Sequence, residues 1–230
     1  MTGQNRSTAV MQRRVEPHDS LDDFPSPPWA TRALIEHGLK KHFLPIGNAL
    51  EPCCNRGYMA RPLREYFAKV WAADIFDYGW SGMDERADFL LTGSSAPFPI
   101  DWAFFNPPFV MAQDFIEQAL GIVRVGCAAF VRTSFLEGSG RYRQLFKASP
   151  PTMIFQFAER VVLTKGIVRD PDVTYFDPVS KTHKKPSSAT SYCWLVWVPG
   201  MERQPFDWIP PCRKQMEREG DYADPLRIAA

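Results

Sequence analysis

From about residue 48 to residue 198 the chain alternates short, continuous apolar runs with stretches of helical periodicity. The runs are Asn48-Ala49-Leu50-Glu51-Pro52, Val70 to Ile75, Asp101 to Phe105, Gly126 to Val131, Met153 to Phe157 and Ser191 to Val198. They are too short for helices and too uniformly apolar for strands with one wet face, so they read as strands buried on both sides. Between them lie a helix opened by the prolines before Trp29 and ending near Gly38, a helical stretch from Tyr58 to Ala68, Val110 to Leu120, and about Arg141 to Lys147. Pro62 marks the first turn of the second helix or a kink in it. In the third, Phe115, Ile116, Ala119 and Leu120 share one side. Strands alternating with helices predict an α/β fold with a mostly parallel sheet. No helix separates the last two strands, which predicts that they run antiparallel.

Two strand ends carry candidate chemistry. The run from Asp101 is stopped by Asn106-Pro107-Pro108-Phe109, because two prolines force an extended turn. That places Asn106 at the strand's carboxyl end, where open α/β sheets bind ligands. The exocyclic amine of a flat base is a weak nucleophile, since its lone pair is delocalised into the ring. Two acceptors aimed at its N-H bonds, the Asn106 side-chain oxygen and the Pro107 carbonyl, favour tetrahedral nitrogen and act mainly on the transition state. Phe109 is placed to stack on the ring, a contact of roughly 1 to 3 kcal/mol. Taken alone, the tripeptide is equally an ordinary turn.

The other strand end is Glu51-Pro52, followed by Cys53-Cys54-Asn55-Arg56-Gly57-Tyr58 and a helix. A strand, a tight loop of small residues and a helix form the first half of a nucleoside-binding unit. Gly57 permits close approach of a ligand, and Asn55 tolerates the left-handed conformation. About twenty residues on, Asp74-Ile75 ends a strand where a carboxylate accepts from ribose hydroxyls; the alternative is a surface cap. Asp88-Phe89 offers an acceptor and an apolar face for an adenine, or simply a strand-edge acid. Trp29 is either core or a flank of the ligand.

Composition narrows the classes. A chain of 230 residues, 45% of them hydrophobic, suffices for one domain with a full core. No run of 18 uninterrupted apolar residues suggests a membrane span, and the segment Met1 to Arg6 lacks the apolar part of a signal peptide. Five cysteines, two adjacent and none in a C-x-x-C pair, suggest neither a disulfide framework nor zinc, and make a reducing cytoplasm the expected compartment. Four scattered histidines suggest no metal. With 27 basic and 26 acidic residues the net charge is +1, so any nucleic-acid contact must be local. The long connection from about Thr164 to Thr190 carries Lys165, Arg169, Lys181, Lys184 and Lys185 interleaved with Tyr175 and Phe176. It is a candidate nucleic-acid contact or a solvated loop. Residues 1–23 read as a flexible arm, 24–200 as the domain, and 201–230 as a tail docking through Trp208 and Ile209.

In this order the pieces resemble the class I S-adenosylmethionine-dependent DNA adenine-N6 methyltransferases often carried by bacteriophages and prophages. The resemblance runs from about Phe24 to Val198. Its most specific part is the Asn-Pro-Pro-Phe form of the D/N-P-P-Y/F/W motif, placed after the cofactor motifs as in the family's gamma group. It implies a Rossmann-like, seven-stranded, mostly parallel sheet with helices on both faces and an antiparallel last strand. It implies S-adenosyl-L-methionine held by Glu51, Pro52, Cys53, Asn55, Gly57 and Tyr58, by Asp74 and Ile75, by Asp88 and Phe89, and by Asn106. The segment from Phe24 to Trp29 would border the methionine part. Asn106, Pro107, Pro108 and Phe109 would hold an adenine rotated out of DNA. Adenine in RNA and the glutamine amide in release factors are alternatives with the same chemistry, and a non-catalytic binding protein on this fold is a further one. A bacterial cytoplasmic monomer or weak dimer, without metal or membrane, is expected. Asn55 departs from the family by standing where its loop has a glycine. The chain also leaves no room for a large target-recognition domain.

Overall fold

The computed structural model describes residues 22–224 except residue 179. Its centre is one eight-stranded sheet. The strands are β1 (Asn48–Glu51), β2 (Lys69–Asp74), β3 (Glu85–Arg86), β4 (Trp102–Phe105), β5 (Gly126–Arg132), β6 (Met153–Phe157), β9 (Tyr192–Trp197) and β10 (Asp207–Ile209). Between β6 and β9 the chain adds a separate hairpin of β7 (Tyr175–Asp177) and β8 (Thr182–Lys184). The sheet order is β10-β6-β9-β5-β4-β1-β2-β3. All neighbours run parallel except β9, which is antiparallel to both β5 and β6. The sequence pattern anticipated that reversal.

The count of seven strands needs correcting to eight. The additional strand is β10, whose Ile209 is buried while Trp208 is 58% exposed. Three residues on the open edge of β6 are too few for a legible period. Ile209 joins the core cluster that contains Trp29, and Trp208 faces outward. The tail also returns to the body through Asp221, which accepts from the buried Arg32 guanidinium at 2.7 Å while Glu65 accepts from its other edge.

Both sheet faces are covered, as near-continuous apolar strands require. Side chains alternate along a strand, so consecutive phenylalanines of β4 enter different cores. Phe104 joins Trp29, Leu34, Phe130, Phe155 and Trp194 on one face. Phe105 joins Phe115, Ile116, Leu195 and Trp197 on the other. The first face is covered by α1 (Pro28–Leu34), which starts on Pro28, where a missing N-H costs nothing, and continues as a wider turn over Ile35–Leu39. The second is covered by α4 (Ala112–Leu120). The helix after the first loop shortens to α2 (Ala60–Leu63), with Pro62 in its first turn. Among the described residues no helix is long and apolar enough to cross a membrane.

Candidate active site

The loop after β1 is tight because two residues close together are left-handed: Asn55 at φ 51° and Gly57 at φ 74°. Asparagine tolerates this conformation, so it can stand in for a glycine. At Gly57 a side chain is also excluded by space, since a Cβ would lie 2.4 Å from the Trp80 indole. Asp74, at the end of β2, clips the loop down. One carboxylate oxygen accepts from the Asn55 N-H at 2.8 Å and the other from the Phe76 N-H at 2.9 Å.

At the end of β4, the Asn106 side-chain nitrogen donates to the Phe24 carbonyl at 2.8 Å. A carbonyl only accepts, so this bond fixes which way the amide faces and leaves Oδ1 as its acceptor. The next turn is held by the Asp22 carboxylate, which accepts from the Phe109 N-H at 2.9 Å. Asp23 reaches the opposite loop, accepting from Asn55 Nδ2 at 2.8 Å and pairing with Arg56 at 3.0 Å. Residues 22–24 therefore tie the loop after β1 to the turn after β4. The expected arm over 1–23 otherwise lies outside the described residues.

Between these loops opens a cleft enclosing about 910 Å³, its mouth included. Of the residues singled out from the sequence, Glu51, Pro52, Cys53, Asn55, Tyr58, Asp74, Ile75, Asp88, Phe89, Asn106 and Pro108 line it. Trp29, Gly57, Pro107 and Phe109 do not. Trp29 is buried edge-on against Phe157 at 5.5 Å, within the core under α1. Gly57 packs on Trp80, and Pro107 is buried behind the turn. Phe109 lies outside the cleft, with the Arg132 guanidinium 3.6 Å from its ring centre. Asp88 is the N-cap of α3 (Phe89–Thr92), accepting from the Leu90 N-H at 3.0 Å through one oxygen. Phe89 lines the cleft and packs on Phe115, ring centres 5.3 Å apart.

The cleft is acidic at its base. Glu51 is 3% exposed, and its Oε2 is buried with no hydrogen-bond partner. Burial, then the charge of Asp74, raises its carboxyl well above the usual glutamate range. Burial raises Asp74 too, against the backbone N-H groups that favour its ionised form. Apolar walls and two unevenly satisfied carboxyls suit a flat ligand with a cationic end. Among the described residues no cluster of histidine, cysteine or acidic side chains has a metal's geometry.

Sequence reasoning missed Asp22, Phe76, Tyr78, Met111 and Phe115, which also line the cleft. Phe76 and Tyr78 follow the β2 acid directly, a signal that was available. Asp22 carried none, because its partner Phe109 is 87 residues away. None of the five basic residues of the long connection lines the cleft. Lys184 pairs with Asp177 across the hairpin, Arg169 lies 4.0 Å over the Tyr175 ring, and Lys181 takes a left-handed turn position. Lys165 and Lys185 flank this hairpin, and beside Lys165 the Gly166 N-H donates to the Asp23 carbonyl at 2.9 Å.

The arrangement is that of a Rossmann-like class I methyltransferase fold. No family model and no curated protein matches the sequence. Among solved structures, one from Pyrococcus horikoshii, proposed to be an RNA methyltransferase, is similar at TM-score 0.51 and 12% identity, covering 86% of this chain and 99% of that one. The methyltransferase subunit of a type I restriction-modification system from Streptococcus thermophilus is similar at TM-score 0.51 and 9% identity, covering 90% of this chain. This chain spans about half of that subunit, 52% of its length. At such identities the likeness concerns the fold.

Proposed function

We propose that the protein transfers a methyl group from S-adenosyl-L-methionine to the N6 amine of adenine in DNA. The observation that carries this reading is the Asn106 amide, held by Phe24 so that its oxygen is the free acceptor, at the edge of an acidic cleft. The residues fit the cofactor on a feature of the cleft itself. The orphaned Glu51 Oε2 suits an ammonium or other cationic N-H donor. Asp74 retains lone pairs for ribose hydroxyls, and the second oxygen of Asp88 suits an exocyclic amine above Phe89. When bound there, the cofactor would supply an electrophilic methyl group on sulfonium to the amine nitrogen, with the thioether as leaving group and the amine's surplus proton passing to solvent.

The chain's own part is positioning. Asn106 Oδ1 and the Pro107 carbonyl accept the two N-H bonds of the amine and turn its lone pair toward the cleft. Phe109 stacks on the flipped base. The basic residues Lys165, Arg169, Lys181, Lys184 and Lys185 are proposed to steer the nucleic-acid backbone.

Asn106→Ala is expected to abolish methyl transfer while leaving most of the cofactor affinity; transfer at the unsubstituted rate would refute the assignment. Labelled cofactor offered in turn to DNA, RNA and a protein extract is expected to label DNA. Label confined to RNA or to protein would move the substrate accordingly.

A further inference from the structure

We infer that the Arg132 guanidinium occupies the stacking place of the target base on Phe109 and, when displaced, takes the phosphate of the nucleotide that displaces it. This rests on the function proposed above and names the acceptor as a phosphate-bearing nucleotide rather than a side-chain amide.

Arg132 is the last residue of β5, the strand beside β4, so it stands at the same carboxyl edge as the Asn106 turn. Its guanidinium carbon lies 3.6 Å from the centre of the Phe109 ring, the spacing of two flat groups in contact. Phe109 is only partly buried and packs against the core cluster that contains Phe24 and Trp29. The face of the ring that carries the guanidinium is closed to a base while Arg132 lies on it. Arg132 must therefore move before a base can stack on that face of Phe109.

The exchange is nearly balanced, because cation-π contact and base stacking are comparable in strength. Arg132 Nε is buried without a hydrogen-bond partner, so leaving the ring breaks no hydrogen bond at that atom. A nucleotide brings both the flat ring that replaces the guanidinium and an anion that suits its planar fork. A glutamine side chain brings neither, and leaves the guanidinium in place.

The test uses the full chain and a single-stranded deoxyoligonucleotide with one adenine, titrated by fluorescence anisotropy across a salt series, with deoxyadenosine as the probe lacking phosphate. Arg132→Gln should bind the oligonucleotide about tenfold more weakly, with a log-log salt slope lower by about one. It should bind deoxyadenosine at least as tightly as the unsubstituted protein does. Arg132→Lys keeps the charge without the flat face, so it should retain the salt slope and bind deoxyadenosine at least as tightly as the unsubstituted protein does; if the glutamine variant does not fold, deoxyadenosine binding by the lysine variant decides the matter. An unchanged oligonucleotide affinity and slope in Arg132→Gln, or weakened deoxyadenosine binding in either variant, would overturn the inference by making Arg132 a mere support of the ring. S-adenosylhomocysteine binding is measured on the same samples. Its absence in the unsubstituted protein sinks the methyltransferase reading itself; its presence with unmoved nucleotide parameters sinks only the role of Arg132.

Discussion

The Asn106 side-chain nitrogen donates to the Phe24 carbonyl oxygen at 2.8 Å, across 82 residues of chain. One hydrogen bond thereby decides which atom of the amide remains for a substrate. The bond also makes the segment before α1 part of the site, because Phe24 follows directly on the two aspartates that hold the loops on either side.

Asn106→Asp tests that orientation. A carboxylate has no donor for Phe24, so two acceptors would face each other where one bond existed. Single-turnover methyl transfer is expected to fall roughly 100-fold or more, in the range seen when one preorganised group is removed. Cofactor affinity, measured by calorimetry, should change far less.

Glu51→Gln should stabilise the free protein and weaken cofactor binding. Burial raises the Glu51 carboxyl in the folded state, so the folded protein holds a proton that the unfolded chain releases from about pH 4.3 upward. Stability therefore falls as pH rises through that window, and the loss is complete above the raised value. The amide removes the loss. A gain on the order of 1 kcal/mol, or a Tm rise of about 2 to 4 °C, is expected at pH 8 and none at pH 4. An equal rise at both pH values would argue against a titrating Glu51.

Asp23→Ala removes the acceptor for Asn55 Nδ2 and the partner of Arg56. The loop after β1 then loses its tie to residues 22–24. Cofactor affinity should drop about tenfold, while the cost in stability, at roughly 1 to 2 kcal/mol, should be that of a partly buried hydrogen-bonded charge. Parallel calorimetry and thermal melts separate the two effects.

Gly57→Ala meets two obstacles, a left-handed backbone and the Trp80 indole. The backbone alone accounts for about 1 to 2 kcal/mol. Adding Trp80→Ala should recover the steric part and leave the conformational part, so denaturant melts of the two single variants and the double should show a clear coupling term.

The strands buried on both faces, the reversal of β9 against β6, the left-handed Asn55 and the place of Asn106 at the end of β4 were legible in the chain itself. These follow from contiguous residues: an apolar run sets a strand, two prolines end it, and an asparagine accepts a conformation most residues avoid. The folded chain alone settles that Asp22 and Phe24 line the cleft, that Asp23 ties the loop after β1 to them, that Arg132 covers Phe109, that Trp29 stays in the core and that Ile209 adds an eighth strand. Each of those depends on which strands become neighbours. Backbone preference acts within a few residues, whereas a contact across 82 or 87 residues exists only once the sheet order has brought its two ends together.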